Sequence, residues 1–105
     1  MERIEKHIED GKVAVLYSPG WGAGWSTWNE HAFAIDKRIV EKFINEHPSE
    51  NEMEKFIKSL GYKNPCMLGY EDLKVEWVPE GEYYFISEYD GYEEIKVGVA
   101  DVYLA

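Results

Sequence analysis

Two apolar stripes at helical spacing constrain this chain more than any other feature. Ile39, Val40, Phe43 and Ile44 recur on one face of a segment that opens at Asp36 and stops at Pro48, while Lys37, Glu41, Lys42 and Glu46 point elsewhere. Ser49-Glu50-Asn51-Glu52 then reads as a capping box, with Ser49 as N-cap and Glu52 reaching back. A second stripe follows in Met53, Phe56, Ile57 and Leu60, closed by Gly61 as a C′ glycine. Helices this short depend on tertiary packing, so each stripe needs a sheet to cover.

The remaining segments supply strands. Lys12–Tyr17 is an apolar run between Asp10-Gly11 and Ser18-Pro19-Gly20, the profile of a buried strand bounded by turns. Residues 3–9 suit either a helical face, through Ile4 and Ile8, or an edge strand feeding the Asp-Gly turn. Leu73, Val75 and Trp77 alternate with Lys74 and Glu76 ahead of a Pro79-Glu80-Gly81 turn. Tyr83–Tyr89 is rich in aromatic and β-branched residues, and Asp90-Gly91 turns it into a hairpin partner at residues 95–99. Residues 102–104 finish the sheet. The expected class is α+β: a mostly antiparallel sheet, made of the N-terminal strand and a C-terminal β-meander, with two short helices on one face.

A chain of 105 residues fits one domain, and 45% hydrophobic residues suffice for its core. No apolar run is long enough to span a bilayer, and the charged start lacks the apolar stretch of a secretory signal, so a soluble, cytoplasmic protein is expected. Cys66 is the only cysteine, which leaves neither an internal disulfide nor a thiolate metal cluster. Net charge is −10 and unevenly spread. Residues 1–65 carry 11 acidic and 9 basic side chains, whereas residues 66–105 carry 10 acidic ones against Lys74 and Lys96. Direct nucleic-acid binding is therefore not expected, since it needs clustered cations. The acidic half suits a solvated sheet face or a surface offered to a basic partner.

Between the first strand and the first helix lies the segment with the strongest functional signal, residues 18–28. Its Ser18-Pro19-Gly20-Trp21-Gly22-Ala23-Gly24-Trp25-Ser26-Thr27-Trp28 holds three glycines and three of the chain's four tryptophans. Glycine lets the backbone approach a ligand closely, and successive N–H groups in such a loop form a nest for an anion. Indole faces stack on flat groups such as nucleobases. Known phosphate fingerprints do not fit: Trp25 stands where a dinucleotide loop needs its third glycine, and the loop has no lysine for a P-loop. The alternative is structural, with tryptophans covering the core and Ser26, Thr27 or Asn29 taking the indole N–H. Lys37 and Arg38 sit in the first turn of the Asp36 helix, where the macrodipole disfavours cations. An anion held there by Arg38 and free N–H groups rationalises that placement; so does capping by Asp36 with Lys37 paired to Glu41.

Other candidates carry less. His7, His31 and His47 lack metal-ligand spacing, so no metal or cofactor is expected, while His31 has the pKa of an acid or base. Glu71-Asp72 and Glu93-Glu94 are adjacent pairs whose members face opposite ways on a strand, which makes neither a carboxylate dyad.

The 18–29 segment, together with Asp72-Leu73-Lys74-Val75-Glu76-Trp77-Val78-Pro79-Glu80-Gly81 and Glu88-Tyr89-Asp90-Gly91-Tyr92-Glu93-Glu94-Ile95, resembles the signature blocks of a family of small uncharacterised bacteriophage proteins. The blocks occur in the same order over most of the chain, with departures after Val97 and at residues 45–49. The resemblance implies a viral origin and a role in the cytoplasm of an infected cell, but no activity. Many host defences signal through modified nucleotides, which a phage protein counters by sequestering them. The leading expectation is accordingly a binder of a nucleotide-like small molecule, built from Ser18, Gly20, Trp21, Gly22, Gly24, Trp25, Ser26, Thr27, Trp28 and Arg38. Trp21, Trp25 or Trp28 would stack on the base, and the amides of residues 20–24 with Arg38 would hold phosphates. Assembly into a homo-oligomer would complete the pocket. Two alternatives stand beside it: an acidic inhibitor of a basic host protein, acting through Glu82, Glu88, Glu93 and Glu94, and a small nucleotide hydrolase with His31 or an acidic residue as base.

Overall fold

A computed structural model describes residues 4–20, 24–98 and 103–105. In chain order the elements are β1 (Ile8–Glu9), β2 (Lys12–Tyr17), α1 (Trp25–Trp28), α2 (Ala32–Ile35), α3 (Lys37–Glu46), α4 (Glu50–Ser59), a 3-10 turn (Tyr70–Asp72), β3 (Lys74–Pro79), β4 (Tyr83–Tyr89), β5 (Tyr92–Val97) and β6 (Tyr103–Leu104). The class is α+β with antiparallel pairing throughout, as expected. The strands divide into two three-stranded sheets, ordered β1-β2-β3 and β5-β4-β6.

The division follows from β2. Val13, Ala14, Val15 and Leu16 are all fully buried. Because successive side chains of a strand point to opposite faces, such a run needs cover on both. Ala14 and Leu16 meet the helical layer with Trp25, Phe33, Ile39, Val40, Met53 and Ile57. Val13 and Val15 pack with Val78, Tyr84 and Ala105 on the side of the second sheet. The Pro79-Glu80-Gly81 turn, with Gly81 at φ +92°, releases the chain from the first sheet into the second.

Local chemistry sets the boundaries. Of the stretch ambiguous in sequence, Ile8 and Glu9 form an edge strand, pairing with Val13 and Lys12 through a turn in which Asp10 and Gly11 both have positive φ. Asp90 and Gly91 repeat this geometry between β4 and β5, and β5 begins at Tyr92, earlier than expected. Asp36 caps α3 by accepting from the Arg38 amide. Ser49 caps α4 through the Glu52 amide, and the Glu52 carboxylate accepts the Ser49 hydroxyl. Only α1 and α2, of four residues each, were not legible as helices; single turns have no periodicity to read. No helix among the described residues is long and apolar enough to cross a membrane.

His31 joins the helical side to the second sheet. Its ring stacks on Tyr103 at 3.4 Å, and Nε2 lies 2.8 Å from the Tyr84 hydroxyl. Burial, aided by the charge of Lys6, pushes the ring down to about 4. An unfolded histidine protonates near pH 6.5 (~6.5), so below that value the unfolded chain binds more protons than the folded one. Folding stability should therefore fall between about pH 6.5 and pH 4, by roughly 2 kcal/mol after allowing for partial exposure. Urea unfolding across this window checks it: His31→Gln should flatten the slope, and an unchanged slope would mean that His31 is not the titrating group.

Candidate functional site

Ser18, Ser26 and Thr27 of the 18–28 segment are held by one buried carboxylate. Glu93, on β5, is completely buried and its Oε1 accepts from the amides of Ser18 (2.8 Å) and Ser26 (3.2 Å). Its Oε2 accepts from the Thr27 amide (2.5 Å) and the Thr27 hydroxyl (2.7 Å), and the Glu93 amide donates to the Ser18 carbonyl at 2.8 Å. The end of β2 and the first turn of α1 thus form an anion nest from the amides of residues 18, 26 and 27, not the expected 20–24, and the anion is the protein's own. Ser18 and Ser26 are buried, and the Ser26 hydroxyl donates to the Leu16 carbonyl. Both were expected as ligand contacts; their amides are engaged by Glu93 and the Ser26 hydroxyl by the strand. Thr27 is exposed, yet its amide and hydroxyl are engaged in the same way.

Two glycines serve this packing. A Cβ on Gly24 would lie 2.8 Å from Thr27 Oγ1 and 3.3 Å from both Glu93 Oε2 and the Gly91 carbonyl. A Cβ on Gly20 would collide with the Asp72 carboxylate. With Glu93 and Asp72 both against the loop, a phosphate there would meet acidic groups. Trp21 and Gly22 lie outside the described residues.

The tryptophans part company. Trp25 is fully buried, with its ring edge-on to Phe33 (5.6 Å) and Tyr70 (6.4 Å), so it packs the core and offers no face for stacking. Its Nε1 has no hydrogen-bond partner among the described residues, because Ser26, Thr27 and Asn29 are used elsewhere. Trp28 is 44% exposed. Arg38, expected as a phosphate ligand, directs its Nε and Nη2 onto the Asp36 carboxylate at 3.1 and 2.7 Å. Tyr62 donates to the same carboxylate at 2.8 Å. Burial alone would raise Asp36, but hydrogen bonds from Arg38 and Tyr62 outweigh it and hold the group below the usual carboxylate range.

Trp28 opens onto a groove of about 550 Å³ between α1–α2 and the segment after α4. Trp28, Glu30 and Phe33 line one side, and Tyr62, Lys63 and Asn64 the other. Asn29 fixes its width: Nδ2 donates to the carbonyls of Trp25 (2.8 Å) and Cys66 (2.7 Å), and Oδ1 accepts from the Cys66 amide at 2.8 Å. Tyr62 packs edge-on to Phe33 at 4.9 Å, and its hydroxyl, tied to Asp36, is pushed up to about 12 by burial and by that carboxylate. Tyr62 is thus anchored by both its ring and its hydroxyl. Lys63 and Glu30 are exposed and make no ion pair among the described residues.

Sequence reasoning missed the second wall. Tyr62, Lys63 and Asn64 follow the Gly61 helix stop and read as an ordinary turn; Asn64 at φ +50° ahead of Pro65 is the local signal of its sharp bend. Of the acidic residues considered for docking, Glu82, Glu88 and Glu94 are exposed, but Glu93 is not and leaves that set. The Glu93-Glu94 pair does split across the strand. His31 is engaged with Tyr84 and Tyr103, and no cluster of metal-ligating side chains occurs among the described residues. Comparison of the chain with protein-family models, curated proteins and solved structures finds no match.

Glu93→Gln keeps the shape but turns an NH2 group toward backbone donors, so it should destabilise the fold by about 2–4 kcal/mol in urea unfolding. A change below about 0.5 kcal/mol, the size of an ordinary surface substitution, would show that the carboxylate does not organise the loop.

Proposed function

We propose that the protein is a binding module that sequesters a nucleotide-derived small molecule in the groove beside Trp28. The observation that carries this reading is the exposed Trp28 indole at a groove of about 550 Å³ also lined by Lys63, which makes no ion pair among the described residues. Stacking on the indole gives affinity for a flat base, and the ammonium gives it for phosphate. The volume suits a ligand of nucleotide size. The reading includes a homo-oligomer in which a second copy of the chain completes the pocket. The resemblance to small phage proteins supports a setting in the cytoplasm of an infected cell, where the ligand is a host defence signal.

Tryptophan fluorescence tests this reading, with Trp28→Ala isolating the part of the emission change that comes from the indole at the groove. Titration with cyclic nucleotides and ADP-ribose derivatives should quench or shift the emission. Trp28→Ala should weaken binding, read by calorimetry, about tenfold or more, the size of one lost base stack. Absence of any response in the wild type, or undiminished binding by Trp28→Ala, would overturn the proposal.

A further inference from the structure

The groove carries two unpaired charges of opposite sign, and the position of the negative one gives it a direction. Glu30 lies two residues beyond Trp28, while Lys63 comes from the segment after α4. They do not neutralise one another, since neither has an ion-pair partner within 4.0 Å among the described residues. The intervening Asn29 is bonded both ways to the Cys66 backbone and to the Trp25 carbonyl, so Trp28 and Glu30 project from a rigid joint. Phosphates are repelled by Glu30 and attracted by Lys63, which sets the base of a stacked nucleotide toward the carboxylate.

We infer that Glu30 reads the base and makes the groove selective for guanine, an inference that rests on the nucleotide-binding reading above. A carboxylate only accepts hydrogen bonds. Guanine presents two adjacent donors on its Watson–Crick edge, N1–H and the N2 amino group, which match the two oxygens of one carboxylate. Adenine sets its N6 donor beside the N1 acceptor, and that lone pair faces the carboxylate. Cytosine has one donor beside an acceptor, and uracil has one donor between two acceptors. Guanine therefore gains two charge-assisted hydrogen bonds where other bases gain at most one and meet repulsion. Trp28 supplies the stack that holds the ring in the plane of those bonds, and Lys63 takes the phosphate end.

Calorimetric titration with GDP, IDP and ADP tests the assignment. GDP should bind about tenfold or more tightly than ADP, the discrimination of one good bidentate contact. IDP, which lacks the N2 amino group, should fall between them. Glu30→Gln offers one donor and one acceptor, and should bring the GDP and ADP affinities within about threefold of each other. An unchanged melting temperature would confirm that this exposed position leaves the fold intact. Equal binding of GDP and ADP, IDP binding as tightly as GDP, or an unchanged preference in Glu30→Gln would overturn the role of Glu30. In those cases Trp28-dependent binding would still uphold the wider reading. Failure of all three nucleotides to bind would overturn the role of Glu30, and the wider reading falls with it if cyclic nucleotides and ADP-ribose derivatives also give no response.

Discussion

The Glu93 carboxylate is the interaction on which the rest of this structure depends. It sits on β5, in the second sheet, yet it receives the amides that end β2 and open α1. A buried carboxylate is tolerable only if its charge is met, and here backbone N–H groups, the Thr27 hydroxyl and the first turn of α1 meet it. The bond closes a separation of 75 residues and fixes the second sheet against the end of β2. Gly24, which leaves room for Thr27 and Glu93, belongs to the same device. Trp25 is carried into the core as the loop folds over this point, and Trp28, one turn later, is carried out of it.

Much of the fold was legible in local chemistry. The apolar run of β2, the two Asp-Gly turns, the caps at Asp36 and Ser49 and the two helical stripes each act over a few residues, and each appears where the pattern places it. The division into two sheets could be read only in part. Four consecutive apolar residues in β2 call for cover on both faces, but nothing local says that the second cover is another sheet.

The site was harder to read, because its determinants are distant in sequence. A glycine-rich loop with free amides announces an anion without saying whose it is; Glu93 answers from the other end of the chain. Alternation showed that Glu93 and Glu94 face opposite ways, but could not say which faces inward. Arg38 looked like a stray cation at a helix start until Asp36 and Tyr62 closed around it. The groove itself joins residues 28–33 to residues 61–64, and only the tertiary fold brings Tyr62 and Lys63 opposite Trp28. In the tryptophan-rich segment Trp28 is exposed at the groove, while Ser18, Gly20, Gly24 and Ser26 pack within the fold.

On this account the loop is scaffold and the groove is the binding surface, and the central claim is that an intact ligand is held there. The most direct test is the mass of whatever co-purifies with the protein from infected or defence-active cells, released by heat. The account predicts an intact nucleotide-derived molecule from the wild type and its loss from Trp28→Ala. Release of the same molecule from both, a cleaved product, or no nucleotide from the wild type would contradict it.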